Sequence, residues 1–137
     1  MERILALDVG DKRIGIAVSD PLGITAQWLE TYVRKDEEQD VAHILALARQ
    51  YAPVKLLFGL PRNMDGSYGF QAEKVRAFAE AVLKEWDGEH DFYDERLTTA
   101  AAERVLLDAD VSRKKRRGVI DKLAAVVILQ GYLETHR

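Results

Sequence analysis

The chain has 137 residues, 47% hydrophobic and 31% charged, with 20 basic and 23 acidic side chains and a net charge of −3, which suits one globular α/β domain with a single core. It contains no cysteine, which excludes disulfide scaffolds, thiol catalysis and thiolate zinc sites and makes the reducing cytoplasm the expected home. No apolar run approaches the roughly 20 residues needed to cross a bilayer, and the mildly acidic whole argues against a general nucleic-acid coat protein while leaving room for an enzyme with its cations on one face.

Met1-Glu2-Arg3-Ile4 lacks the basic and long apolar segments of a signal peptide and reads as the start of a first strand. Ile4 to Leu7 is a short apolar run leading into Asp8-Val9-Gly10, as in a strand buried on both faces. A turn at Asp11-Lys12 leads to a second strand, Arg13 to Ser19, in which Gly15 permits a bulge or a close backbone approach. A third strand follows the Pro21-Leu22-Gly23 turn, through Ile24-Thr25-Ala26 towards Thr31-Tyr32-Val33.

Asp36 offers an N-cap with Gln39 as its capping-box partner, and Val41, Ile44, Leu45 and Ala48 give the spacing of a helix that Pro53 ends. Val54 to Leu60 is the fourth strand, and a turn-rich loop runs from Pro61 to Gly69. Val75, Phe78, Ala79, Val82, Leu83 and Trp86 mark a second helix, and Asp91 to Glu95 a fifth strand. A third helix is expected from Thr98 or Thr99 to about Asp108, then a basic loop from Ser112 to Gly118 and a last helix from Val119 to Thr135. With no repeat, low-complexity tract or linker, residues 1–137 are expected to form one domain, built on a five-stranded mixed sheet of three antiparallel strands then two parallel, flanked by helices.

Three acids stand out. Asp8 closes an apolar strand, where an unpartnered carboxylate is costly to bury; it either caps the turn with Gly10 or has a cation as partner. Glu95, in Tyr93-Asp94-Glu95-Arg96, precedes a helix; the acids either favour that helix's dipole, with Arg96 as a salt partner, or serve a site. Strand alternation lets only one of Asp94 and Glu95 face any given site. Asp121 shares a helical face with Ala124, Ala125 and Ile128; it either steadies the first turn of the last helix or turns into the core.

Together, two acids at strand ends and one at the start of a covering helix make a carboxylate cluster, which a hard cation such as Mg²⁺ or Mn²⁺ would neutralise. Two ions about 4 Å apart would align an attacking water and stabilise the leaving oxygen of a phosphodiester. The run Arg113-Lys114-Lys115-Arg116-Arg117 abuts Asp121 and either grips phosphates or forms a solvated loop; Lys12 and Arg13 add charge beside Asp8. Arg62 and Asn63 either contact phosphate or base or belong to a plain connecting loop. Trp28 and Trp86 read as packing, and His43, His90 and His136 lack metal-ligand spacing.

Taken in order, Leu7-Asp8-Val9-Gly10, the run from Lys12 to Asp20, Gly59-Leu60-Pro61, the run from Asp94 to Thr99 and the run from Ile120 to Ala125 resemble the YqgF/RuvX family of Holliday junction resolvases and pre-16S rRNA nucleases, over nearly the whole chain. The resemblance implies a ribonuclease H-like fold and a metal-dependent phosphodiesterase, with Asp8, Glu95 and Asp121 at the family's acidic positions; Arg96 is expected among the residues that bind nucleic acid. Related resolvases usually carry the second acid at the end of the fourth strand. Here that strand ends in Gly59-Leu60-Pro61 and the acid comes one strand later, at Glu95, with Asp94 as its competitor. An Asp-x-Gly opening also occurs in actin-like ATPases and sugar kinases, but those need two such domains and the chain is too short. The expected partner is structured nucleic acid, pre-rRNA or branched DNA, bound by a monomer or weak homodimer. A binder that holds such nucleic acid without cutting it is the alternative.

Overall fold

A computed structural model describes residues 2–61, 69–94 and 113–136, with 113–122 described by backbone alone. In chain order the elements are β1 (Arg3–Val9), β2 (Arg13–Ser19), β3 (Ala26–Val33), α1 (Glu37–Gln50), β4 (Val54–Leu60), α2 (Phe70–Leu83), β5 (His90–Asp94) and α3 (Arg113–Thr135). The strands make one sheet in the order β3-β2-β1-β4-β5. The β1–β2 and β2–β3 pairs are antiparallel, and β1–β4 and β4–β5 are parallel. The expected mixed sheet is therefore present, with the carboxyl ends of β1, β4 and β5 along one edge.

Alternation along each strand divides the core in two. Leu5, Leu7, Ile14, Ile16, Leu56 and Phe58 pack beneath α1 and α2. Ala6, Ala17, Leu57 and Tyr93 point the other way and meet Ala125, Ile128, Leu129, Tyr132 and Leu133 of α3. Small residues on this second face let α3 lie close to the sheet. The far end of α3 is pinned by a polar chain, in which Lys55 Nζ donates to Tyr132 Oη at 2.7 Å and Tyr132 Oη donates to Asp91 Oδ2 at 2.9 Å.

α1 begins at the expected cap, since Asp36 accepts the Gln39 N–H at 2.8 Å. The Gln39 side chain donates from Nε2 to Asp36 Oδ2 at 2.9 Å, whereas in a capping box its oxygen would accept the cap's own N–H. β3 starts later than expected, because the Asp20 carboxylate takes the N–H groups of Leu22, Ile24 and Thr25 and holds Ile24-Thr25 in the turn. Trp28 is 44% exposed on the edge strand rather than packed, whereas Trp86 rests against the α1/α2 core.

Three further expectations need correction. The basic run is not a loop: Arg113 to Arg117 are the first residues of α3, consistent with the good helix propensity of Arg and Lys. The regular face expected from Asp121 to Ile128 is interrupted, because Leu123 leaves helical geometry at φ −105° and ψ 15°. β1 also runs on through Asp8 to Val9, so Asp8 lies inside the strand rather than closing it. The helix expected over 98–108 lies outside the described residues. No helix among the described residues is long and apolar enough to cross a membrane.

Candidate metal and nucleic-acid site

Asp8 stands in the central strand on the α3 face, two residues on from buried Ala6 and half-buried itself. It pairs with Gly15 on β2. On its other side, one residue past the Leu7–Phe58 pair, is Gly59 of β4. The carboxylate thus sits between two neighbours that have no side chains. A Cβ placed on Gly15 would stand 3.7 Å from both Asp8 Cβ and Ala125 Cβ, so the missing methyl leaves open the space where α3 crosses Asp8. The close approach expected at Gly15 is present, and the register shift lies next to it, between Ile16 and Ala17.

The two faces also separate Asp94 from Asp8. Tyr93 packs in the α3 core, while Asp94 pairs with Leu60, which belongs to the α1/α2 core. Paired residues of parallel strands point to the same side, so Asp94 is on the face opposite Asp8. Glu95 lies outside the described residues, as do Arg62, Asn63 and Arg96. Asp121 is in α3, four residues before Ala125, and it and Arg113, Lys114, Lys115, Arg116 and Arg117 are described by backbone alone. Among the described residues no three His, Asp or Glu side chains gather as a metal site; of the three expected ligands, Asp8 is the one whose side chain is described. Its hard oxygens, beside the space that a side chain at residue 15 would enter, suit Mg²⁺ or Mn²⁺.

Of the two cations expected beside Asp8, Arg13 has the parity of Gly15, so it lies on the Asp8 face and is exposed; Lys12 is exposed in the turn. Next to that turn is a group that sequence reasoning did not single out. Arg34, after β3, donates from its backbone N–H to the Lys12 carbonyl and from Nη1 to the Gly10 carbonyl, both at 2.9 Å. Its Nε donates to Asp40 Oδ2 at 3.0 Å. Asp40 is 1% exposed, and burial pushes its carboxyl up. The N–H of Lys35, the Arg34 guanidinium and the Tyr32 hydroxyl together outweigh that and hold it below the ordinary carboxylate value. An acid four residues past an N-cap carries no sequence signal of this role, since its partners come from β3 and the loop after it.

Comparison with known proteins identifies the family and the fold. A family model described as RuvX, Holliday junction resolvase, matches residues 2–135. A Moorella thermoacetica protein named "Putative pre-16S rRNA nuclease" is 57% identical over 132 residues, covering 96% of this chain and 94% of that one. One of the same name from Halothermothrix orenii is 54% identical over 131 residues, covering 96% and 94%. Among solved structures, T. thermophilus RuvC in complex with a Holliday junction substrate superposes with a TM-score of 0.67 at 17% identity, covering 98% of this chain and 95% of that chain. The fowlpox virus Holliday junction resolvase gives 0.53 at 17% identity, covering 97% and 99%. At such identities these two show a shared fold.

Proposed function

This chain belongs to the RuvX family, and from that premise we propose that it is a metal-dependent nuclease hydrolysing phosphodiester bonds in structured nucleic acid, with Asp8, Glu95 and Asp121 holding Mg²⁺ or Mn²⁺. The observation that carries the reading is the setting of Asp8: a half-buried carboxylate in the middle strand, flanked by Gly15 and Gly59, where α3 reaches the sheet. Its hard carboxylate oxygens are of the kind that Mg²⁺ and Mn²⁺ prefer. The bound ion supplies Lewis acidity and neutralises charge that builds on the phosphodiester during hydrolysis.

Parity supports Glu95 over Asp94 as the second ligand. Asp94 has the parity of Leu60, on the face opposite Asp8. Asp121 stands one turn before the point at which α3 meets Gly15. Arg13, Lys12, the cations from Arg113 to Arg117, and Arg62, Asn63 and Arg96 are assigned to backbone contacts with the nucleic acid. Residues 1–137 act as one domain in the cytoplasm, as a monomer or weak homodimer.

Relatives at 54–57% identity are named for pre-16S rRNA, which makes an rRNA precursor the first substrate to test. The family description favours a four-way DNA junction as the second. The test is cleavage of labelled precursor rRNA fragment, four-way junction and single-stranded DNA with Mg²⁺ or Mn²⁺, comparing wild type with Asp8→Asn. Metal-dependent cutting that disappears in Asp8→Asn while binding persists is the expected result. Binding without cutting under any metal would replace the nuclease with a non-catalytic binder.

A further inference from the structure

We propose that Arg34 is a positioning residue for Asp8, acting as a clamp on the β1–β2 turn and itself anchored by the buried carboxylate of Asp40. The inference rests on the reading of Asp8 as a metal-holding carboxylate.

The turn is short and tight. Its Gly10 N–H donates to the Arg13 carbonyl at 2.9 Å, and a Cβ on Gly10 would stand 2.9 Å from that same oxygen. This closure leaves the carbonyls of Gly10 and Lys12 to be satisfied from outside the hairpin, and Arg34 takes both, one with its guanidinium and one with its backbone N–H. A single residue just after the neighbouring strand β3 therefore fixes both ends of the segment that follows Asp8 and carries Lys12 and Arg13.

Arg34 has little freedom of its own. Nε is bound to Asp40, and the guanidinium lies 4.9 Å from the ring centre of Phe78. Asp40 Oδ1 takes the Lys35 N–H at 2.9 Å and the Tyr32 hydroxyl at 3.0 Å. Every hydrogen bond in the chain from α1 to Gly10 is at an ordinary length, and the acid at its root is nearly out of water. A buried ion pair is weak evidence for stability as such, because desolvation offsets most of its attraction. Its constant effect is geometric. The turn's other tether, Lys74 to Asp11 at 3.1 Å, joins two exposed side chains, which fix geometry poorly.

Arg34→Lys separates clamp from ion pair. Lysine keeps the charge beside Asp40 and the backbone bond to Lys12, but a single ammonium does not span both Asp40 and the Gly10 carbonyl. The expected result has three parts, measured on the full chain: amide exchange at Gly10 rises while that of Leu5 and Ala6 within β1 does not; the dissociation constant for Mn²⁺, titrated without substrate, rises; and kcat falls about 10–100-fold with KM for the nucleic acid unchanged, as outer partners of a metal site usually act. Tyr32→Phe, which withdraws one donor from Asp40 and leaves Arg34 intact, is expected to move all three readouts in the same direction by less.

Unchanged Gly10 exchange, Mn²⁺ affinity and kcat in Arg34→Lys would overturn the proposal, as would a loss of activity that only tracks a fall in Tm. Asp8→Asn run in parallel tells the two failures apart. If it still cleaves, the reading of Asp8 falls; if it is inactive while Arg34→Lys behaves as wild type, only the positioning role falls.

Discussion

At the scale of single residues, what sets Asp8 apart is what stands beside it. Gly15 is at the closest contact between sheet and α3, with room for one carbon in ordinary contact with Asp8 and Ala125. Gly15→Ala is therefore expected to be near neutral for folding. Gly15→Val overfills the gap and is expected to cost about 1–3 kcal/mol, measured by urea unfolding, with cleavage falling because the added carbons meet Asp8. The two neighbouring acids on β5 give a sharper contrast. Glu95→Gln is expected to reduce cleavage to background and Asp94→Asn to leave it near wild type, because Asp94 shares its face with Leu60. Metal-dependent cleavage rates of the two variants check this, and the reverse outcome would move the ligand role to Asp94. The sequence singled out the pair but did not say which face Asp94 takes, which follows from its pairing with Leu60.

At the scale of elements, α3 joins the apolar face to the proposed chemistry. Its second half packs Ile128, Leu129 and Leu133 on the sheet, and Tyr132 ties it to Lys55 and Asp91. Tyr132→Phe leaves both partners short of a bond and is expected to cost about 1–3 kcal/mol in thermal or urea unfolding. Arg113 to Arg117 occupy successive positions of a helical backbone. Neutralising all five is expected to flatten the salt dependence of nucleic-acid binding by fewer than five contacts' worth, and an unchanged slope in a salt titration would remove the run from the interface. A charge run has no apolar period, so its sequence alone did not distinguish loop from helix.

At the scale of the whole molecule, the Arg34–Asp40 network links α1, β3 and the β1–β2 turn, and it makes an acid-dependent contribution to stability. The Asp40 carboxyl titrates below its ordinary value of 3.8. Its contribution is therefore complete above that ordinary value and is lost as pH falls below it through the depressed native value. Asp40→Asn is expected to lower stability at neutral pH and to remove this part of the acid dependence, as measured by Tm between pH 7 and pH 3. The sequence by itself determined the five strands, the first two helices and the sheet's class: alternating apolar residues in the strands, the Asp36 cap and the helical spacing from Val41 to Ala48 are local patterns, and local patterns survive without a tertiary context. It also marked Asp8 as an anomaly, since an acid in an apolar run signals its own cost. Only the tertiary structure decided which face Asp8 and Asp94 occupy, that Gly15 and Gly59 flank the carboxylate, and that Arg34 and Asp40 hold the turn beyond it. Those facts depend on register and on contacts between residues far apart in the chain, and neither composition nor periodicity encodes them.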